Sequence, residues 1–231
     1  LRYVADHRRH AVLVGERGVG KSLLLRHFAE QRRRDGREAV SIAAAGLAPR
    51  ELAWQIAAGL SLAPRPEDDL VRLFRRLSDF AAATATGSAG ALVLLGDADQ
   101  TGPDVRTQLL RLLSLGSGAS WITLVMTAGL RSVGRLGDEL LEAADLRIDL
   151  EPWGETDAVG YVQHALIEAG ADRPIFDDEA LAALYALSDG IPRRVNRLAD
   201  HALLGAAGEG QEMVDAAMVE AANDALSWTA I

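Results

Sequence analysis

Over the first two-thirds of the chain, short apolar runs alternate with stretches whose apolar positions recur every three or four residues. The runs at 11–14, 38–42, 91–95, 121–126 and 146–150 have strand length and predict buried strands. Between them, Leu52, Ile56 and Leu60 follow Pro49 at helical spacing, as do Leu70, Leu73, Leu77 and Phe80, and then Val105, Leu109 and Leu112. Strand and helix in alternation predict a parallel sheet with helices on both faces. Residues 82–90, rich in Ala, Thr, Gly and Ser, read as a helix end and loop. Beyond Pro152 the strand patterns stop. Thr156 is expected to cap a helix carrying Val159, Val162 and Leu166, and Asp177 a second with Leu181, Leu184 and Leu187. Pro192 opens a third with Val195, Leu198 and Ala202, and Val219 with Leu226 marks a fourth. The expected class is α/β: a three-layer αβα core around a five-stranded parallel sheet over residues 1–151, then an all-α part over 152–231.

The turn after the first run carries the chemistry. Gly15-Glu16-Arg17-Gly18-Val19-Gly20-Lys21-Ser22 matches the phosphate-loop pattern G-x-x-x-x-G-K-[ST] at every position. It follows an apolar strand and runs through Leu23 into the helical pattern Leu24, Leu25, Phe28. Glycines let backbone N–H groups turn inward around phosphates, and the helix start adds the positive end of its dipole. Lys21 is expected to reach the β- and γ-phosphates and the Ser22 hydroxyl to bind Mg²⁺, with ATP as the ligand. The second half of such a site is an apolar strand ending in an acid. Leu92-Val93-Leu94-Leu95-Gly96-Asp97 fits, and places Asp97 to hold the magnesium directly or through water. The plain alternative is a solvated turn residue, and Asp99 is the second choice of acid.

Composition narrows the field. The 231 residues are 49% hydrophobic and 25% charged, globular values for a chain able to bury a core without cross-links. With no cysteine, a disulfide framework, a thiolate metal site and cysteine catalysis are excluded. The five histidines, His7, His10, His27, His164 and His201, lack metal-ligand spacing. No apolar run approaches the roughly 18–20 residues that span a bilayer, so no membrane insertion is expected in this stretch. Leu1-Arg2-Tyr3 has neither a starting Met nor a signal pattern, and reads as a domain excised from a longer protein. The net charge of −9 weighs against sequence-independent binding of nucleic acid. Of 24 basic residues one is lysine, and it is Lys21, a placement that chance gives about once in 24. Arg serves wherever any cation suffices, so a compact ammonium is singled out here. The densest basic cluster, Arg32-Arg33-Arg34 with Arg37, falls at a helix end and suits its dipole.

A GTPase would carry a base-reading Asn-Lys-x-Asp, and no second lysine exists. A small-molecule kinase would insert its lid within the core. Gly190-Ile191-Pro192-Arg193-Arg194-Val195-Asn196 resembles the G-x-P-R-x-x-N that starts the third lid helix in AAA+ ATPases of the general secretion pathway protein A type. Leu150-Glu151-Pro152-Trp153, Thr156, Tyr161, His164-Ala165-Leu166, Ala169-Gly170, Phe176, Ala180-Leu181 and Asp200-His201-Ala202-Leu203-Leu204 extend the resemblance over essentially the whole chain. The phosphate loop is specific to the superfamily and the lid pattern moderately specific to the family; transposition-helper ATPases share most of it. The resemblance implies that residues 152–231 are an AAA+ lid and that Arg193 senses the γ-phosphate, against an ordinary solvated helix-start arginine. It implies Asn196 as a backbone anchor and Thr127, at the tip of the fourth strand, as the polar sensor or else a common strand-end threonine. Tyr3 and Ile191 either wall the adenine or pack in the core. It further implies a homo-oligomer or a protein partner, a link to a secretion pathway, and a cytoplasmic domain of a membrane-associated whole.

Two departures touch turnover. The family's acidic strand ends in Asp-Glu, and in this register the pair is Asp97-Ala98. Alanine aligns no water, so a base contribution of about 10²–10⁴-fold is missing; Asp99 and Gln100 point elsewhere. Counting back from Leu150, the place of the arginine finger, worth about 10³–10⁵-fold, holds Ala143, with Arg131, Arg135 and Arg147 nearby. The expectation is a binding site with slow or impaired hydrolysis. Three functions remain open: an ATPase motor acting on a protein partner, a non-hydrolysing nucleotide-gated binding module, and a DNA-transaction loader.

Overall fold

The strands at Ala11–Gly15, Ala91–Gly96 and Ile122–Gly129 bury nearly every residue on both faces, which is why their runs read as apolar rather than alternating. A computed structural model describes residues 1–84, 90–115 and 121–227. In chain order the elements are α1 (Arg2–Asp6), β1 (Ala11–Gly15), α2 (Lys21–Arg34), β2 (Ala39–Ala43), α3 (Pro49–Gly59), α4 (Leu70–Thr84), β3 (Ala91–Gly96), α5 (Pro103–Leu113), β4 (Ile122–Gly129), α6 (Asp138–Glu142), β5 (Leu146–Leu150), α7 (Glu155–Glu168), α8 (Asp178–Ser188), α9 (Pro192–Glu209) and α10 (Ala216–Ser227). Single 3₁₀ turns lie at Ala98–Gln100 and Val133–Leu136. They form two compact units: Leu1–Gly15 with Lys21–Leu150, and Glu16–Gly20 with Glu151–Ile231. Against the partition expected at 151/152, Glu151 and the five residues Glu16–Gly20 group with the helical unit.

In the first unit the sheet order is β2-β3-β4-β1-β5, with every pairing parallel. Successive side chains of a strand leave on opposite faces. Val12, Val14, Val40, Ile42, Val93, Leu95, Leu124 and Met126 meet Leu52, Ile56, Leu73, Leu77 and Leu109 of α3, α4 and α5 on one face. Leu13, Leu92, Leu94 and Val125 meet Val4 of α1 and Leu25, Phe28 and Ala29 of α2 on the other. The result is the three-layer arrangement. All five expected strands form. The fourth starts at Ile122, one residue late, because Trp121 serves as its buried footing, with the indole N–H donating to the Leu112 carbonyl at 3.3 Å. The edge strand β5 exposes Arg147 and Asp149, paired at 2.7 Å, and such charges discourage pairing with another chain. Helix α4 runs to Thr84; residues 85–89 of the expected loop lie outside the described residues.

In the second unit, α7 to α10 enclose Val162, Leu181, Leu184, Val195, Leu198 and Val219. Asp177 caps α8 as expected, its Oδ1 accepting the Ala180 N–H at 2.7 Å. Thr156 does not cap α7. The helix starts one residue earlier, at Glu155, after Gly154 in extended backbone. Gly154 lacks a side-chain acceptor, and Glu155 and Asp157 in the first turn offset this by facing the positive end of the dipole. Pro192 opens α9, as its preset φ favours.

Between α1 and β1, His10 ties two strands together. Its ring Nδ1 accepts the Leu124 N–H at 3.1 Å, so the neutral ring carries its proton on Nε2. Burial pushes the imidazole below its ordinary value of 6.5, opposed in part by the Asp145 carboxylate, which accepts the His10 backbone N–H and an Arg9 guanidinium N–H. Below pH 6.5 the unfolded chain takes up a proton that the folded chain refuses. Stability is thus full above that value and is lost as pH falls from it toward the lower folded pKa. Chemical denaturation at about pH 7.5 and about pH 5.5 is expected to show a lower midpoint in acid, with a smaller drop in His10→Gln, which keeps an acceptor and cannot titrate.

Candidate functional site

The loop between β1 and α2 is closed by backbone geometry and one ammonium group. Gly18 and Gly20 have φ of 94° and 105°, which L side chains rarely adopt. Val19 is buried between them, whereas Glu16, Arg17, Ser22 and Leu23 are exposed. Lys21, first residue of α2, is 8% exposed, and its Nζ donates to the Gly15 carbonyl at 2.8 Å. An ammonium withdrawn from water without a partner would cost several kcal/mol, so this contact decides where the lysine sits.

Also in the first unit, β3 stops at Gly96. Asp97 was expected to end that strand; it lies one residue beyond it, with left-handed φ 54° and ψ 42°, heading the 3₁₀ turn. A Cβ on Gly96 would stand 3.9 Å from Ser22 Oγ, so residue 96 is the strand end that faces the serine. The Asp97 N–H donates to Thr127 Oγ1 at 2.8 Å. Thr127 is fully buried and lies two residues before the end of β4, not at its tip. Ala98 is fully buried in the core. Asp99 is 5% exposed: its Oδ2 accepts the Gly129 N–H at 3.1 Å and the Ser132 hydroxyl, while Oδ1 is buried with no partner among the described residues. Asp99 thus ties the 3₁₀ turn to the loop after β4, a task that sequence reasoning missed because its partners lie 30 and 33 positions away.

In the second unit, the Arg193 N–H donates to the Gly18 carbonyl at 3.3 Å. A Cβ on Gly18 would lie 3.0 Å from Arg193 Cβ and 3.1 Å from Ile191 Cγ2, so glycine is required there by contact as well as by φ. Ile191 is buried and Arg193 exposed. Asn196 is exposed and makes no side-chain hydrogen bond among the described residues, so the expected anchor does not form. Tyr3, in the first unit, is 60% exposed and stacks on His7 at 4.1 Å; it is not a core residue. Gly190, φ 65°, approaches Trp153 so closely that a Cβ would stand 2.1 Å from the Trp153 carbonyl oxygen. The Trp153 N–H returns a hydrogen bond to the Gly190 carbonyl at 2.9 Å, and its ring meets Tyr161 at 4.8 Å. The segments around Pro152 and Pro192 are therefore one structural feature.

A parallel sheet in this order, with a Gly-rich loop and lysine joining β1 to α2, is the P-loop NTPase-like fold, and the helical region that follows is the arrangement seen in AAA+ ATPases. The chain belongs to the AAA domain family, whose profile its residues 4–133 match. It is 30% identical over 208 residues to a general secretion pathway protein A of Aeromonas hydrophila, across 88% of this chain and 38% of that relative. It thus spans under two-fifths of that relative's length. Among solved structures it is similar to the Aeropyrum pernix ORC1 protein in complex with DNA (TM-score 0.68, 17% identity, 94% of this chain and 59% of that one). It is also similar to Drosophila ORC bound to DNA (0.70, 18%, 95% and 56%) and to the Thermotoga maritima RuvB Holliday junction branch migration motor (0.61, 15%, 97% and 65%). These likenesses show the fold. Family membership implies nucleotide binding. Among the described residues no group of three or more His, Asp or Glu could hold a metal ion alone, and no helix is long and apolar enough to cross a membrane.

Replacing Gly190 by Ala drives a methyl group into the Trp153 carbonyl at a positive φ. The expected loss is about 2–4 kcal/mol, read as a lower thermal midpoint, with Gly205→Ala, which meets open space inside α9, as the control that holds or raises the midpoint.

Proposed function

We propose that this domain binds ATP with magnesium along Gly15, Glu16, Arg17, Gly18, Val19, Gly20, Lys21, Ser22 and Leu23, and changes its interactions with a protein partner according to the nucleotide held. The observation that carries the reading is the single lysine, buried at the start of α2 with its ammonium on the carbonyl that opens the loop. A triphosphate offers that ammonium oxygens of higher charge than a carbonyl, and the N-terminus of α2 adds its dipole. Magnesium, when bound, neutralises phosphate charge; Ser22 is its ligand here, and Asp97, one residue past the strand end, reaches it through water. Thr127 holds the Asp97 backbone and stands as the polar sensor. Arg193 contacts the γ-phosphate, and Ile191 lies beside the base.

Turnover is slow in this reading. Ala98 is sealed in the core, and Ala143, ending α6, carries no cation for a neighbouring copy. The relative from Aeromonas hydrophila supports a role in a secretion pathway. In this reading the domain is cytoplasmic and self-assembles through its nucleotide sites. Two of the structural neighbours are held in complexes with DNA, which supports a loader reading instead, and the net charge of −9 favours a protein partner. The bond from the Arg193 N–H to the Gly18 carbonyl supports a gated binding module, because it links the phosphate loop to the start of a lid helix.

Lys21→Ala is expected to lower nucleotide affinity at least about 100-fold while circular dichroism and the melting curve stay near native. Unchanged affinity would mean that the loop is not the site. For the native chain, turnover is expected at least about 100-fold below the median enzyme rate of roughly 10 per second; a coupled phosphate-release assay that finds ordinary turnover removes the slow-hydrolysis reading and leaves the binding one standing.

A further inference from the structure

We infer that Gly96 occupies the seat of the acid that would hold a divalent cation beside Ser22, so that this chain takes the triphosphate with little help from magnesium. The inference rests on the nucleotide reading above and concerns the metal half of the same site. Gly96 is the last residue of β3, opposite Ala43 of β2. A Cβ built there would lie 3.6 Å from the Ile42 carbonyl oxygen, 3.8 Å from Ala43 Cα and 3.9 Å from Ser22 Oγ, which is the one side-chain atom of the three. A carboxylate on that Cβ would reach an ion held by the serine hydroxyl, since octahedral magnesium takes its oxygens at about 2.0–2.1 Å.

Nothing in the backbone demands glycine at this position. Its φ is not positive, and all three contacts are at ordinary van der Waals distance. The contrast is with Gly18 and Gly190, where φ and crowding leave no choice, and with Gly59, where a Cβ would stand 2.2 Å from Val40. What is missing at 96 is a functional group, not space.

Neither neighbouring acid takes over the seat. Asp97 follows the strand in a left-handed conformation with its N–H fixed to Thr127, one residue beyond the position whose Cβ would stand beside Ser22. Asp99 is spent on Gly129 and Ser132. The metal side is then one neutral hydroxyl, with Asp97 reaching an ion only through water. Magnesium dehydrates reluctantly and is held by carboxylates and phosphates, so a lone hydroxyl adds little to what the phosphates already supply. Lys21 and the loop amides carry the affinity.

The test titrates a fluorescent ATP analogue into the native chain, Gly96→Asp and Gly96→Ala, each with excess magnesium and with EDTA. Native and Gly96→Ala affinities are expected to differ less than about threefold between the two media, and Gly96→Asp to gain about 10-fold or more from magnesium, the range typical of a change at a metal site. A native chain that itself weakens about tenfold or more in EDTA overturns the inference, whether or not Gly96→Asp folds. No binding in either medium removes the nucleotide reading on which it stands, a separate and distinguishable failure.

Discussion

A phosphate loop has to solve a problem of buried charge before it can bind anything. Its amides must face inward and its lysine must leave bulk water, yet no buried ammonium is tolerated without an oxygen partner. In this chain the solution is local. Two glycines at positive φ turn the backbone, and the Gly15 carbonyl receives the Lys21 ammonium at 2.8 Å. β1 is held on both sides, opposite Thr127 of β4 and Ile148 of β5 at Leu13, so the start of the loop hangs from an interior strand of the sheet. The lysine's position inherits the rigidity of that strand, and everything else in the site is arranged around it.

The carboxyl ends of β3 and β4 are joined by polar contacts rather than by packing. The Asp97 N–H meets the Thr127 hydroxyl, and Asp99 accepts from Gly129 and Ser132. These bonds hold the 3₁₀ turn of Ala98–Gln100 against β4 and orient the acids that follow β3. The cost is a buried Asp99 oxygen without a partner among the described residues, the kind of polar imperfection that apolar packing would not create. The same geometry explains why two aspartates in three residues do not supply a carboxylate facing Ser22: one is turned out of the strand and the other is committed elsewhere.

In the helical unit, one close approach organises the path into and out of the bundle. Gly190 and Trp153 touch backbone to backbone, with a hydrogen bond returning from the Trp153 N–H. The start of α9 follows at once, and its first turn meets Gly18 through the Arg193 N–H and through the side chains of Ile191 and Arg193.

Much of this was legible in the residues. Five runs became five strands, the interior ones legible because a strand buried on both faces must be apolar throughout, and the loop pattern named its own glycines and lysine. Asp177 was legible as a cap because its side chain acts three residues away. Thr156 was misread because a glycine one turn-start earlier can cap without a side-chain bond. The sheet order, the Trp153–Gly190 contact and the bonds of Asp99 join residues 30 or more positions apart, and no local pattern records such pairings. Periodicity and spacing alone determined the class of fold and the phosphate loop, since both arise from neighbours along the chain. Which residue stands beside Ser22 at the end of β3 was decided only by tertiary structure: the strand end is set by pairing with β2 and β4, and a shift of one residue along a strand exchanges one face for the other.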